Sequence, residues 1–308
     1  MMEQRLLVTA SPHIRDAVST RYLMGSVCLA LVPTLFAATL IFGVRALVLT
    51  AVTVLSCVVM EYIWCVFTRR PVSVGDLSAV VTGLLLAFNL PATVPLWIAM
   101  IGAFVAIIIV KMMFGGIGCN FANPAIVARI VLATGFTARM SDYVFPATGV
   151  DAFSAATPLA VAQAPGSESY LTLLLGAHGG ALGETCALTL LIGGVYLMVA
   201  RVVHPAIPVS YLATVAVFSL LCGQDPIYQL LSGGLLLGAF FMATDYVTSP
   251  YTTWGKILYG VGLGLLTGLI RFFGNSPEGV SYAILLMNIL TPHLNRLTRQ
   301  RPLGGGKA

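Results

Sequence analysis

The sequence predicts an all-α integral membrane protein with about ten transmembrane helices, arranged as two inverted five-helix repeats that contain broken helices. Hydrophobic residues make up 58% of the 308 residues, charged residues make up 9%, and the mean hydropathy is +0.95. Soluble domains carry about 25% charged residues. One bilayer crossing takes about 20 apolar residues. Ten crossings with short loops therefore occupy nearly the whole chain.

The first half begins with a polar arm, residues 1–21, which we expect to be cytoplasmic, and five apolar segments follow within residues 22–138. The first two, at about 22–43 and 46–67, predict a tight helical hairpin. The third, 77–90, holds 14 residues. At 1.5 Å per residue such a helix reaches about 21 Å, short of a hydrocarbon core about 30 Å thick. We therefore expect a helix that breaks partway across, before segments at about 95–113 and 124–135.

The second half, residues 185–294, repeats this order with segments at about 185–203, 208–222, 228–242, 256–273 and 279–294. Residues 82–88 (TGLLLAF) resemble residues 233–239 (GGLLLGA), and Asn123-Pro124 matches Ser276-Pro277. Because each half has five crossings, the second half must enter the membrane from the opposite side. Inverted repeats of this kind place their sites at the repeat interface, beside short or interrupted helices.

The charge distribution predicts the topology. Cytoplasmic loops of membrane proteins carry an excess of Lys and Arg. With both termini and the tail 295–308 in the cytoplasm of a cell inner membrane, residues 139–184 form an extracytoplasmic loop and residues 244–255 lie inside. The net charge of +5 then reflects topology rather than a nucleic-acid partner. Twelve of the sixteen basic residues fall on the cytoplasmic side: Arg5, Arg15, Arg21, Arg69, Arg70, Lys111, Arg201, Lys256, Arg296, Arg299, Arg301 and Lys307.

Several site classes find no support in the sequence. The sequence has no GxGxxG that opens a βαβ unit, no GxxxxGK[ST] and no CxxC. Its four histidines are scattered, so no metal site and no catalytic side chain is predicted. Glu61 is the clearest acidic residue within a span. Intramembrane carboxylates are often functional, but Glu61 lies near the end of its segment, where Arg69 or Arg70 offers a partner.

The polar interval 139–184 contains residues that resemble a motif for covalent modification. Asp151, Ser154, Ala156 and Thr157 resemble the flavinylation signature Asp-x-x-(Ser/Thr)-Gly-Ala-Thr, whose final threonine forms a phosphoester with FMN. Ala155 stands where the signature has glycine. Taken alone, these residues are equally typical of an ordinary loop rich in Ser, Ala and Pro.

A longer resemblance rests on residues 241–250 (FMATDYVTSP), on the run 233–238 (GGLLLG) and on the ten apolar segments. Together they resemble the RnfD/NqrB family of ion-translocating oxidoreductase membrane subunits. This family has one branch in the Rnf electron-transport complex and one in the sodium-pumping NADH:quinone oxidoreductase. The resemblance covers nearly the whole chain, and the short amino-terminal arm favours the Rnf branch.

This resemblance implies an electron relay in a complex that couples ferredoxin:NAD oxidoreduction to Na⁺ or H⁺ movement. FMN is expected on Thr157, attached by a flavin transferase that recognises Asp151, Ser154 and Ala156. The expected partners are the other Rnf subunits (A, B, C, E and G) and membrane lipid, and the chain alone would be catalytically incomplete. A second site, for noncovalent riboflavin or a cation, is expected at Thr244, Asp245 and Thr248.

Three other interpretations remain open from the residues. Broken helices in inverted repeats are equally typical of channels and secondary transporters without a redox role. A structural subunit with a vestigial loop is compatible with Ala155. The polar groups of residues 244–250 also suit a turn at a helix end in which they cap one another.

Overall fold

The computed structural model describes residues 18–143, 169–176, 178–274 and 279–299, and the secondary structure within these ranges is helical, apart from one isolated bridge. The first half comprises α1 (Thr20–Phe42), α2 (Val44–Phe67), α3 (Ser78–Phe88), α4 (Leu96–Phe104, continued as a π-helix over Val105–Met112), α5 (Pro124–Gly135) and the short α6 (Thr137–Met140). After α7 (Tyr170–Leu175), the second half comprises α8 (Ala187–Val199), α9 (Ala206–Leu221), α10 (Pro226–Leu231), α11 (Leu235–Leu237, continued as a π-helix over Gly238–Met242), α12 (Thr253–Phe273) and α13 (Gly279–Leu297).

Helices α1 and α2 form the predicted hairpin. The Ser19 hydroxyl accepts a hydrogen bond from the Tyr22 amide and so caps the start of α1. Gly43 alone separates the two helices and has φ of +74°. Glycine adopts this conformation without a steric penalty, which permits so short a connection.

The third segment is short in the first half, as the sequence predicts, and it is broken in the second half, where the sequence predicts one continuous segment. In the first half, α3 ends at Phe88, well short of a bilayer width. In the second half, the predicted continuous run 228–242 is interrupted between α10 and α11, where Gly233 has φ of +67°. The side chain of Asp225 accepts a hydrogen bond from Ile227 N and starts α10.

The helices of the two halves pack in the same order. In each half the second helix, α2 or α9, packs along the fourth, α4 or α12, and the fourth packs on the fifth, α5 or α13. Between the halves, α1 packs on α8 and α5 packs on α13. The first helices of the two halves are therefore in contact, and so are the fifth helices. This arrangement fits a duplication. The inverted orientation of the second half stays a prediction.

The segments that connect the helices form hydrogen bonds at the two ends of the helix bundle. At one end, the hydroxyl of Thr252 donates to that of Thr298 (2.6 Å), and the hydroxyl of Thr291 donates to the Thr248 carbonyl (2.8 Å). We call this the basic end, because the loops and helix termini there carry Arg21, Arg69, Arg70, Arg201, Lys256, Arg296 and Arg299.

At the opposite end, the Arg45 guanidinium donates to the Thr93 carbonyl (2.8 Å), and the Thr93 hydroxyl donates to the Asp142 carbonyl (2.7 Å). The Tyr170 hydroxyl donates to the Asp225 carboxylate at the same end. At the opposite end the interval 139–184 is therefore bonded to the first half through Asp142 and to the second half through Tyr170.

The outer faces of the bundle are apolar. Large side chains such as Phe36 and Leu40 are 64% and 71% exposed. Three helices, α1, α2 and α12, are long and apolar enough to cross a membrane, and the other apolar helices among the described residues are shorter. Exposed apolar surface on this scale suits contact with lipid or with other membrane subunits.

Part of the interval predicted as a loop is buried. Residues 178–184 lie against the end of α3, where the Gly183 amide donates to the Phe88 carbonyl (2.8 Å) and the Leu182 amide donates to the Leu90 carbonyl (3.1 Å). This segment contributes to the interior of the protein. The sequence did not indicate this, because its partners lie about 90 residues earlier in the chain.

A stripe of glycines lets α12 approach α9 closely. A Cβ at Gly260, Gly264 or Gly268 would lie within 3 Å of atoms of Ser210, Thr214 or Phe218, respectively. Small residues at this spacing allow transmembrane helices to pack closely.

We predict that Gly264→Val destabilises the protein, because the new Cβ would lie 2.5 Å from the Thr214 Cβ. Overpacking of this kind costs about 1–3 kcal/mol. Gly262→Val is the matched control, since its Cβ meets only the flexible side chain of Met287. The midpoint of thermal unfolding in detergent measures both variants. Equal losses in the two variants would contradict close α9–α12 packing.

Candidate functional site: a cavity at the basic end

A cavity opens at the basic end, between the two halves. The space between its walls, open mouth included, is about 910 Å³. Its walls come from α1, from α3, from the end of α8 and the residues after it, from the π-helices that end α4 and α11, and from the segments that follow those π-helices. The lining combines apolar, aromatic and polar side chains, among them Val27, Val81, Thr82, Leu85, Lys111, Asn120, Asn123, Phe240, Phe241, Thr244 and Asp245.

Two of the three side chains predicted for a second site lie in this wall. Thr244 and Asp245 belong to the cavity lining, whereas Thr248 does not. The hydroxyl of Thr248 donates to the Asp245 carboxylate (3.4 Å), and its carbonyl accepts from Thr291 on α13. Thr248 therefore supports the turn, and Thr244 and Asp245 face the cavity.

Asp245 lies in the turn after α11. Burial raises the pKa of its carboxyl group, and hydrogen bonds from the Val247 amide and the Thr248 hydroxyl oppose that shift. The Thr244 hydroxyl donates to the Phe240 carbonyl (2.6 Å). The turn is thus capped by its own polar groups, as one interpretation of the sequence predicts, and it also presents polar atoms to the cavity.

Both π-helices supply cavity side chains. Gly238–Met242 carries Phe240 and Phe241, and Val105–Met112 carries Lys111. A π-helix adds a residue to the turn and so changes which side chains point to a given face; such segments are frequent at functional sites. Apolar periodicity alone did not distinguish these segments from ordinary helix.

A buried ion pair includes one of the residues that line the cavity, Lys111. The Lys111 ammonium lies 2.5 Å from a Glu61 carboxylate oxygen, and the side chains are 3% and 0% exposed. The Lys111 ammonium also donates to the Ser78 hydroxyl (2.6 Å), which donates to the Asp76 carboxylate (2.5 Å). Ser73 donates to the second Glu61 oxygen (2.5 Å). This network fixes the start of α3 to α2 and α4.

Glu61 has a different partner from those that the sequence suggests. Arg69 and Arg70 are the nearest candidates along the chain, but the structure pairs Glu61 with Lys111, fifty positions away. The predicted topology places Lys111 among the cytoplasmic basic residues, whereas the structure buries it to 2% exposure. In the sequence, Lys111 is a basic residue at the end of an apolar run. Basic residues that only mark the cytoplasmic side of a membrane occupy the same kind of position, so the sequence did not indicate the ion pair.

A second buried network begins at Asn123. The Asn123 side-chain amide donates to the Met242 carbonyl (3.2 Å), which links α5 to the end of α11. The Asn89 side-chain amide donates to the Met242 sulfur (3.6 Å), and the Asn89 oxygen accepts from Arg129 (2.9 Å). Arg129 also forms a buried ion pair with Glu184 (3.1 Å). Sequence reasoning did not single out this ion pair.

The flavinylation residues, Asp151, Ser154, Ala156 and Thr157, lie outside the described residues. The described part of the chain ends at Tyr143 and resumes at Ser169, and the neighbours of both, Asp142 and Tyr170, take part in the hydrogen bonds of the opposite end. Both attachment points of the intervening segment therefore lie across the bundle from the cavity.

A metal centre finds no support within the described ranges. No group of three or more His, Cys, Asp or Glu side chains there is arranged to hold a metal ion. The cavity wall offers single polar groups among apolar ones, an arrangement typical of organic-ligand pockets.

This chain is similar to known proteins over nearly its whole length. A model of the NQR2, RnfD, RnfE family matches residues 7–304. The chain is 48% identical to the D component of the Na⁺-translocating ferredoxin:NAD⁺ oxidoreductase complex of Acetobacterium woodii, over 99% of this chain and 97% of the relative. It is 38% identical to the D component of the proton-translocating ferredoxin:NAD⁺ oxidoreductase complex of Clostridium ljungdahlii, over 96% of each chain.

A further relative is the D component of the ion-translocating oxidoreductase complex of Stutzerimonas stutzeri, 38% identical over 94% of this chain and 93% of the relative. These matches span both helical halves, the turn after α11 and the segment between the halves. The chain therefore belongs to the NQR2, RnfD, RnfE family.

Proposed function

We propose that this chain is the flavin-carrying membrane subunit of an ion-translocating ferredoxin:NAD oxidoreductase complex. In this proposal FMN is attached to Thr157 and a second, noncovalent flavin occupies the cavity at the basic end. The observation that carries the proposal is that the cavity includes Thr244 and Asp245, while the segment bearing Thr157 is anchored at the opposite end. Two flavins at the two ends would suit electron relay across a membrane.

The cavity wall fits an isoalloxazine ring, which has apolar faces and a polar edge. Ligand pockets are lined mainly by hydrophobic and aromatic side chains with a few placed polar groups, and the lining here has that composition. Phe240, Phe241 and Leu85 offer apolar contact. The Asn120 side-chain oxygen is buried without a hydrogen-bond partner among the described residues, so it is available to accept from a ligand N–H group.

The charges of the wall favour a flavin without a phosphate. Asp245 lines the cavity, and the Asp76 carboxylate accepts a hydrogen bond from Ser78, another lining residue. The lining cation, Lys111, is already paired with Glu61. A phosphate group would meet carboxylates and no available arginine among the described lining residues, so riboflavin suits this site better than FMN.

The chain's own contribution is position and electrostatic environment. A threonine hydroxyl transfers no electrons, so a flavin on Thr157 would supply the redox chemistry. Asp151, Ser154 and Ala156 would serve recognition by a flavin transferase. The Lys111–Glu61 network would hold α3 and the π-helix of α4 in place beside the second flavin.

The relatives' names support the wider assignment to a complex that couples ferredoxin:NAD oxidoreduction to Na⁺ or H⁺ movement. The partners would then be the other Rnf subunits (A, B, C, E and G) in a cell inner membrane, with the basic end in the cytoplasm and Thr157 outside. That orientation follows from the positive-inside rule. A channel or transporter without flavin is the competing function.

We expect covalent flavin at Thr157. The full chain, coexpressed with a flavin transferase, should give a fluorescent band on a denaturing gel, and Thr157→Ala should abolish that fluorescence because the phosphoester is formed on the Thr157 hydroxyl. Thr148→Ala, a change at another threonine of the same interval, is the matched control and should remain fluorescent. A wild-type band without fluorescence would favour the transporter interpretation, and fluorescence in Thr157→Ala would move the attachment elsewhere.

Ala155 should reduce the efficiency of attachment. Glycine permits backbone conformations and close approaches that alanine resists. Ala155→Gly should therefore increase the fraction of chain that carries covalent flavin in the same coexpression, measured as flavin absorbance per mole of protein. An unchanged or lower fraction would show that the transferase accepts alanine at this position.

We expect the second flavin to depend on the cavity. Val81→Trp would place an indole in the lining, whereas the matched control Val80→Trp changes the neighbouring residue on α3, which is outside the described lining. Acid precipitation of the purified full chain releases noncovalent flavin, which chromatography identifies and quantifies. Val81→Trp should lose most of that flavin and keep the covalent gel band, which reports on folding. Equal release from both variants would refute the cavity as the site.

A further inference from the structure

Arg129 joins the two halves of the protein at a buried position. Its guanidinium donates to the Asn89 side-chain oxygen (2.9 Å) in the first half. It also donates to the Ser281 hydroxyl (3.1 Å) and to the Glu184 carboxylate (3.1 Å), which belong to α13 and to the segment before α8. Arg129 is 4% exposed and Glu184 is 3% exposed. The pair is therefore held from several elements at once.

The pair lies between the cavity and the opposite end. Asn123, the residue before α5, lines the cavity, and Arg129 is six positions further along the same helix. At 1.5 Å per residue this places the Arg129 backbone about 9 Å beyond Asn123 toward the opposite end. Glu184 comes just before Ala187, where α8 begins at that end.

Polar groups connect the cavity to this level. Asn123 and Asn89 both contact Met242, and Asn89 contacts Arg129, so polar atoms continue from the cavity wall to the ion pair. A cation that crossed between the two halves from the cavity would meet these polar groups. The cavity already brings solvent partway into the bundle.

Gly234 leaves room for the pair at the start of α11. A Cβ at Gly234 would lie 2.7 Å from a Glu184 carboxylate oxygen and 3.5 Å from an Arg129 nitrogen. The two side chains thus fill the space between α5 and the beginning of α11. Buried charges are expensive in a membrane and are retained mainly where they have a function.

We propose that the Arg129–Glu184 pair is a cation seal: it closes the route between the two halves, so that the ions moved by the complex do not pass through the centre of this subunit. An arginine side chain does not lose its proton in proteins. Its guanidinium occupies the oxygen atoms of Asn89, Ser281 and Glu184, which would otherwise be attractive to a cation. The seal requires no flavin, so it can be tested independently of the proposed redox role.

The two members of the pair should differ when removed. Arg129→Gln leaves the Glu184 carboxylate beside the oxygens of Asn89 and Ser281, which is a favourable environment for Na⁺. Glu184→Gln breaks the same ion pair but leaves the positive charge of Arg129, which repels cations. A purely structural role would make both variants behave alike, because both lose the same contact.

The test is passive cation permeability of the complete complex in liposomes, without ferredoxin or NAD. We expect Arg129→Gln to release trapped radioactive Na⁺ about tenfold faster than wild type, since one unit charge at contact distance inside a protein changes the population of a cation at the site by at least that factor. Glu184→Gln should remain as tight as wild type. Arg271→Gln is the matched control, since Arg271 is also a buried arginine and its guanidinium donates to Gln229 and Ser232 instead.

A second variant decides the question if Arg129→Gln prevents assembly. Asn89→Asp preserves the shape of the side chain and adds a carboxylate beside Arg129, so the site becomes net negative. This variant should leak Na⁺ while Glu184→Gln stays tight. The proposal is wrong if the assembled Arg129→Gln complex, or Asn89→Asp in its place, is no leakier than wild type. It is equally wrong if Glu184→Gln or Arg271→Gln leaks as fast.

Discussion

The constraint on which the structure depends is that peptide groups at the ends of buried short helices need hydrogen-bond partners. In lipid no water replaces a missing partner, and an unsatisfied buried group costs about 1–3 kcal/mol. The carboxyl end of α3 is completed by amides of Gly183 and Leu182. The carbonyls of Gln229 and Ser232, at the break between α10 and α11, accept from Arg271. Each break in a helix thus requires a contact from a distant part of the chain.

The same requirement explains the buried charges. At the amino end of α3 the Ser78 amide and hydroxyl both donate to Asp76, and Lys111 approaches the Ser78 hydroxyl. Lys111 in turn needs Glu61, since removing one partner of a buried pair costs about 3–5 kcal/mol. The polar groups that allow a helix to end inside the bundle are therefore the ones that shape the cavity wall. Site and scaffold share these residues.

The sequence predicted the all-helical, apolar character of the fold and some of the residues that line the cavity. Apolar runs located the helices, and the short 77–90 segment indicated α3 because length against bilayer thickness is a local property. Thr244 and Asp245 line the cavity, and the sequence drew attention to them because a polar turn between apolar segments is visible in sequence. The ion pairs Lys111–Glu61 and Arg129–Glu184 were not predicted, since their members are 50 and 55 positions apart in the chain. Which charges pair depends on packing, and packing was not available from one sequence.

The buried segment 178–184 gives the two repeats unequal roles. It precedes the second half in the chain but completes the first half, through Gly183 on Phe88 and the bridge between Ala181 and Pro91. The two repeats are consequently not independent modules, even if they arose from one ancestral unit. A chain divided at this junction would leave the first half with an open helix end.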